Sequence, residues 1–113
     1  MLQRAVEALV RQYRTNNPFV LSRFLNIRLM PRNTPSGMWG IFVWHDERAF
    51  LGFDKAAPLP RQQEFVAHGI GHYVLHRQYG TLFIEMENPG CCPVEQEAQA
   101  FANLLLKGAR GTA

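Results

Sequence analysis

The sequence predicts an α+β fold, and three observations predict it. Apolar residues recur at helical spacing near both ends of the chain, and a stretch in between is rich in aromatic and β-branched residues cut by turn signals. A long helical run then lies between that stretch and the last helix. The chain has 113 residues, 47% of them hydrophobic and 19% charged, which suits one folded domain with a real core. No internal repeat, low-complexity tract or linker divides it, so residues 1–113 read as a single domain.

In order, Leu2, Ala5, Val6, Leu9, Val10 and Tyr13 form the apolar stripe of a first helix ending near Thr15. Asn17 before Pro18 is a helix start, and a short second helix carries Phe19, Leu21, Phe24 and Leu25, so residues 1–25 are helical. Residues 26–57 hold the strands. Ile27 to Met30 is a short strand closed by Pro31, and 32–37 is a turn-rich loop. Met38 to His45 and Ala49 to Phe53 form a hairpin turned at Asp46-Glu47-Arg48. Both faces of Met38 to Trp44 are apolar, which predicts a central strand with something packed on each side. His45, at its end, reads as a solvated or hydrogen-bonded histidine. A long helix follows over 60–79, with Pro60 in its first turn and Gly80 as its stop. Thr81 to Met86 is a further strand, 88–90 a loop, and Pro93 opens a final amphipathic helix over 93–107 with a frayed tail from Gly108 to Ala113.

Composition excludes several function classes. The formal charge of +3 is mild and its lysines and arginines are scattered, so nucleic acid is not the expected partner. No apolar run reaches membrane-spanning length and the N-terminal stretch has no signal-peptide core. The two cysteines, Cys91 and Cys92, are adjacent. They constrain almost no loop and form no C-x-x-C pair, so they read as reduced thiols of a cytoplasmic protein.

The chemistry lies in the long helix, in Ala67-His68-Gly69-Ile70-Gly71-His72-Tyr73-Val74-Leu75-His76. His68 and His72, four residues apart, share a helix face and can hold one tetrahedral zinc, as in H-E-x-x-H helices. His76 lies about 12 Å along the axis from His68, too far to join them, and reads as a buried hydrogen-bonding support. Each glycine costs about 1 kcal/mol relative to alanine in a helix interior. Gly71 is explained if a neighbouring strand or backbone packs closely on the helix. Gly69 stands where the motif carries its general base, whose proton transfer is worth about 10²–10⁴-fold. Glu64, one turn upstream of His68, points to the wrong end of the site to replace that base.

Two histidines call for a third ligand, with a fourth position left to water. On the last helix Glu95 shares a face with Ala98, Ala102 and Leu105, the small and apolar side that should enter the core. A carboxylate on that stripe needs a partner, and a metal is one. Glu97 lies on another face and could equally be solvated. Both could also be ordinary first-turn acids. Glu95 is the preferred ligand.

These segments resemble the ImmA/IrrE family of zinc metallopeptidases. Phe65 to His76 is similar to the family's A-H-E-L-G-H-x-L-L-H helix. Glu95 to Leu105 is similar to its E-x-x-A-x-x-F-A-x-x-L-L helix, and Asn17-Pro18-Phe19 with Leu25-Asn26-Ile27 to the helix leading to its first strand. The likeness spans about Asn17 to Leu106. It implies a zincin-like, minimal metallopeptidase domain: a small twisted, mostly antiparallel sheet packed on the active-site helix, with helices at both ends. It implies Zn2+ on His68, His72 and Glu95, and a protein substrate or partner, typically a transcriptional repressor of the helix-turn-helix kind that is cleaved or inactivated, often encoded on a mobile element or tied to a stress response. The family's catalytic glutamate falls on Gly69, its Met-Pro after the Leu-Leu pair is Leu106-Lys107, and its further C-terminal helices have no counterpart.

Two functions follow. The first is a zinc peptidase of this family working with a displaced base or with water alone. The second is an inactive relative, a metal-stabilised domain that grips its partner without cutting it. A histidine stripe that is only packed core, with no metal, is the third alternative.

Overall fold

The computed structural model of the protein describes residues 2–79, 82–88, 90 and 92–111. The chain runs through α1 (Leu2–Tyr13), α2 (Pro18–Phe24), β1 (Ile27–Arg32), β2 (Met38–His45), β3 (Arg48–Asp54), α3 (Leu59–Leu75), a 3-10 turn (Arg77–Tyr79), β4 (Leu82–Met86) and α4 (Pro93–Gly111). The four strands make one sheet in the order β1-β3-β2-β4. Only the β1–β3 pair is parallel; β2 pairs antiparallel with β3 and with β4. This is the α+β architecture expected of a small zincin-like domain.

Local chemistry explains the elements. Asn17 caps α2 through Oδ1, which accepts from the Phe19 N–H at 2.9 Å, with Pro18 in the first turn. Pro31 does not close β1 as expected but lies within it. The strand is at the sheet edge, where a missing N–H leaves no ladder bond unmade. The β2–β3 hairpin turns on two residues, Asp46 and Glu47, with Asp46 at φ 56°.

Helix α3 ends four residues earlier than expected. The His76 N–H caps it on the His72 carbonyl at 2.8 Å, and the chain tightens into the 3-10 turn that brings β4 back along β2. The expected stop, Gly80, and the strand start, Thr81, lie outside the described residues. Helix α4 continues to Gly111, so the tail expected from Gly108 is helical through that residue.

Strand β2 is central, between β3 and β4, but it is not packed on both faces. Trp39, Phe42 and Trp44 are buried on the helix side. On the other side Ile41 pairs with Ile84 and Val43 with Leu82. There the β2 members are half-buried, and Leu82 and Ile84 are exposed. No helix among the described residues covers that face.

The core is therefore a single layer. Leu21 of α2, Phe42 and Leu51 of the sheet, Val66 and Ile70 of α3 and Phe101, Ala102 and Leu105 of α4 are all fully buried. Helix α3 lies in the middle of it, with every residue from Phe65 to His72 buried. No helix among the described residues is long and apolar enough to cross a membrane.

Candidate metal centre

A helix buried on all sides exposes its histidines only to what its neighbours bring. Two elements bring carboxylates. Gly71 has no side chain, so the α4 backbone comes close: a Cβ there would stand 3.0 Å from the Ala98 carbonyl oxygen and 3.2 Å from the Ala98 Cα. That approach sets the first turn of α4 against α3, and Glu95 Oε1 reaches His68 Nε2 at 2.8 Å and His72 Nε2 at 3.2 Å. From the opposite side β4 supplies Glu85, which is 1% exposed. Its Oε2 lies 3.1 Å from His68 Nε2 and its Oε1 2.9 Å from His72 Nε2. The Oε1 contact is short but out of line for a hydrogen bond, and Oε1 is buried with no hydrogen-bond partner among the described residues. One donor atom from each of His68, His72, Glu85 and Glu95 lies within 4.8 Å of the others, a group that could hold a metal ion.

The outer nitrogens of both imidazoles are engaged as well. His68 Nδ1 is 3.0 Å from Gln99 Oε1, and Gln99 Nε2 donates to Asn103 Oδ1 at 3.0 Å. His72 Nδ1 is 3.0 Å from His76 Nδ1, and His76 Nε2 is 3.0 Å from Glu97 Oε1. One set of tautomers satisfies every outer contact: His68 donates from Nδ1 to Gln99, His72 donates from Nδ1 to His76, and His76 donates from Nε2 to Glu97. Both Nε2 lone pairs then face the centre, the state a metal requires. His76 is thus the buried support expected of it, and Glu97 is spent on His76 rather than on the centre.

Electrostatics ties the group together when no metal is held. Burial works to lower the His68 pKa, but Glu85 and Glu95 override it and hold the imidazole up at about 9. His72 is raised against burial by the same two carboxylates. Burial works to raise Glu95, yet His68 and His72 hold it well below the usual carboxylate range. A cation must therefore displace imidazole protons, because the protonated pair takes up the role of the positive charge.

Position 69 has no carboxylate, and the space beside it is filled. A Cβ on Gly69 would lie 2.7 Å from Leu51 Cδ2 and 3.2 Å from Cδ1, so the β3 leucine fills the space beside the helix. Glu64 is drawn away to Arg61 at 2.9 Å. His45 is solvent-exposed beside Asp46, as expected. Cys92 is an exposed free thiol, and Cys91 lies outside the described residues.

Of the residues singled out in the sequence, His68, His72 and Glu95 meet at one point and Glu97 does not join them. Glu85 was missed. A cleft of about 330 Å³ opens onto the group past Trp39, Arg61, Phe65 and Met86. Trp39 stacks on Phe65 with ring centroids 4.4 Å apart and turns its edge to His68.

No protein-family model matches this chain. It is similar to the "Uncharacterized immunity region protein 2" of Bacillus phage phi105: 25% identical over 107 residues, covering 94% of this chain and 68% of that protein.

Proposed function

We propose that this chain is a zinc-bearing domain of the ImmA/IrrE metallopeptidase type that acts on a regulatory protein of a mobile element. We propose further that it grips that partner without cutting it. The reading rests on His68 and His72 of one helix and Glu95 of another converging on one point, beside a position where Leu51 stands in place of a base. The name of the phage relative, an immunity region protein, supports the regulatory setting. The partner class, a helix-turn-helix repressor, comes from the family resemblance.

The donors fit the metal. The four histidine–carboxylate contacts run 2.8–3.2 Å and one donor atom from each residue lies within 4.8 Å of the others, a compact set that can close on a small tetrahedral ion with donor edges of about 3.3 Å and bond lengths of about 2 Å. Glu85 Oε1, buried without a hydrogen-bond partner among the described residues, would be satisfied by a cation held between it and the imidazoles. When bound, zinc supplies a fixed positive charge and a cross-link between helices. The residues do the rest: His76 and Gln99 orient the imidazoles, Trp39 and Phe65 wall the cleft, and Leu51 excludes a proton acceptor from position 69.

Metal analysis of untagged protein tests the centre: close to one zinc per chain is expected, lost in His72→Ala. Incubation with a repressor encoded beside the gene tests the second half, with stable co-elution and an uncut repressor by mass spectrometry as the expected result. A discrete cleavage site in the repressor, dependent on zinc, refutes gripping alone. That outcome belongs to a second reading, a peptidase with Glu85 as displaced base, which is favoured by the cleft reaching Glu85 from solvent. In that case Glu85→Gln abolishes cleavage.

A further inference from the structure

We propose that Glu85 is the fourth protein ligand of the centre and closes it, taking the coordination position that a hydrolytic site keeps for water. The inference rests on the metal-centre reading above and goes beyond it, because neither the motif on α3 nor the helix of Glu95 requires anything of β4.

Three observations carry it. The first is placement. The Glu85 carboxylate spans the two imidazoles, one oxygen 3.1 Å from His68 Nε2 and the other 2.9 Å from His72 Nε2. A base that serves a bound water stands back from the ligand nitrogens by the depth of that water; Glu85 is at ligand spacing. The second is the state of Oε1. It lies 2.9 Å from His72 Nε2, off the line of a hydrogen bond, and is buried without a hydrogen-bond partner among the described residues, which leaves its lone pairs available to a cation. The third is charge. A divalent cation with two neutral imidazoles and Glu95 alone leaves one uncompensated positive charge beside two buried histidines and a part-buried carboxylate. Glu85 brings the group to neutrality. In an H-E-x-x-H helix the motif glutamate supplies that second negative charge from the helix itself. Here it is supplied from the sheet, and it comes close enough to bind.

Gly69 and Glu85 thus describe one rearrangement. Leu51 occupies the space of the base and Glu85 the space of the water, so both parts a hydrolytic site needs beside its metal are replaced by protein side chains. The four-ligand set joins α3, β4 and α4, as a structural site does.

Cobalt substitution of the full chain tests this without any variant. Co2+-loaded wild type should show the intense visible bands of a four-coordinate ion, and these should not move when acetohydroxamate, a ligand for open metal positions, is added. Glu85→Ala should take up acetohydroxamate with a spectral shift. It should also lose more than about 100-fold in Co2+ affinity, beyond the 10–100-fold range typical of groups that only orient a ligand. Glu87→Gln, in the same cleft but on Arg61, should match wild type in both. A wild-type spectrum that shifts with acetohydroxamate, or a Glu85→Ala affinity within about tenfold of wild type, overturns the closed centre while leaving the metal site standing. Failure of wild type to bind Co2+ or Zn2+ at all overturns both.

Discussion

Restoring the motif by Gly69→Glu should destabilise the protein rather than revive it, and the size of the effect follows from one contact. Ordinary carbon–carbon contacts sit at about 3.5–4.0 Å. The Cβ of any residue at 69 would stand 2.7 Å from Leu51 Cδ2, so one of the two must move by roughly 1 Å. Leu51 is fully buried in the middle of β3, and such overpacking costs about 1–3 kcal/mol. Replacing a helical glycine returns about 1 kcal/mol. Gly69→Ala should therefore range from neutral to about 2 kcal/mol less stable, a fall in Tm of roughly 4–8 °C per kcal/mol. Gly69→Glu, which adds a carboxylate against an apolar wall, should be worse. Leu51→Ala alone should cost about 2–5 kcal/mol through its cavity. Combined with Gly69→Glu the two should be non-additive, the double variant more stable than their sum by at least about 1 kcal/mol. Urea unfolding of the four zinc-loaded proteins measures the cycle. Additivity within about 0.5 kcal/mol, or a Gly69→Glu protein as stable as wild type, refutes the claim that Leu51 fills the seat of the base.

The other glycine gives the opposite geometry. At Gly71 a Cβ meets the Ala98 backbone and Phe101 Cβ, which cannot swing aside. Gly71→Ala should push α4 off α3 and, unlike Gly69→Ala, weaken zinc binding, read by competition with a chromophoric chelator. In the metal-free protein, His68 has a folded pKa of about 9 against 6.5. Its contribution, up to about 3 kcal/mol, is then fully present below pH 6.5 and lost as pH rises through 9. Glu95, held low by the same contacts, loses its share as pH falls below 4.5, so metal-free stability by denaturant titration should peak between about pH 4.5 and 6.5. Zinc uptake near pH 7 must expel the imidazole protons. Calorimetry in two buffers of different ionisation heat should show proton release, and none is expected if the histidines are already neutral. His76→Ala and Glu97→Gln should each lower zinc affinity by about 10–100-fold while leaving the ligands in place; an unchanged affinity would sink the proposed orientation of His72.

The parts of the centre that lie on helices were legible because helical spacing is rigid. A separation of four positions puts His68 and His72 on one face, and the small stripe of Ala98, Ala102 and Leu105 placed Glu95 toward the core. The cost of Gly71 pointed to a close backbone, and the structure shows whose it is. Glu85 was not legible, for a reason specific to β4. In Leu82-Phe83-Ile84-Glu85-Met86 the alternation offers three apolar residues on one face, which a reader turns inward. The structure turns them out, with Leu82 50% and Ile84 54% exposed, because Phe83 and Glu85 pack under β2 toward α3. A lone acid on the same face as a phenylalanine was the available signal. The Leu51–Gly69 contact lies beyond any local pattern, since it joins a strand and a helix whose facing is set only when the sheet closes. The expectation of two covered faces for β2 failed similarly, because apolar residues on both sides of a strand do not tell whether an element of the same chain covers them.

His68 and Glu95 are 27 residues apart, and the intervening segment contains β4 with Glu85. A link across a loop of that length would withdraw about 3.5 kcal/mol of chain entropy from the unfolded ensemble. Helix α1 packs on α4, which is itself the outer arm of that loop. A bond made in the second half of the sequence would therefore anchor the first twelve helical residues as well. Chelation should then free the two ends of the chain together, while the β2–β3 hairpin, closed by its own two-residue turn, is left to come apart last.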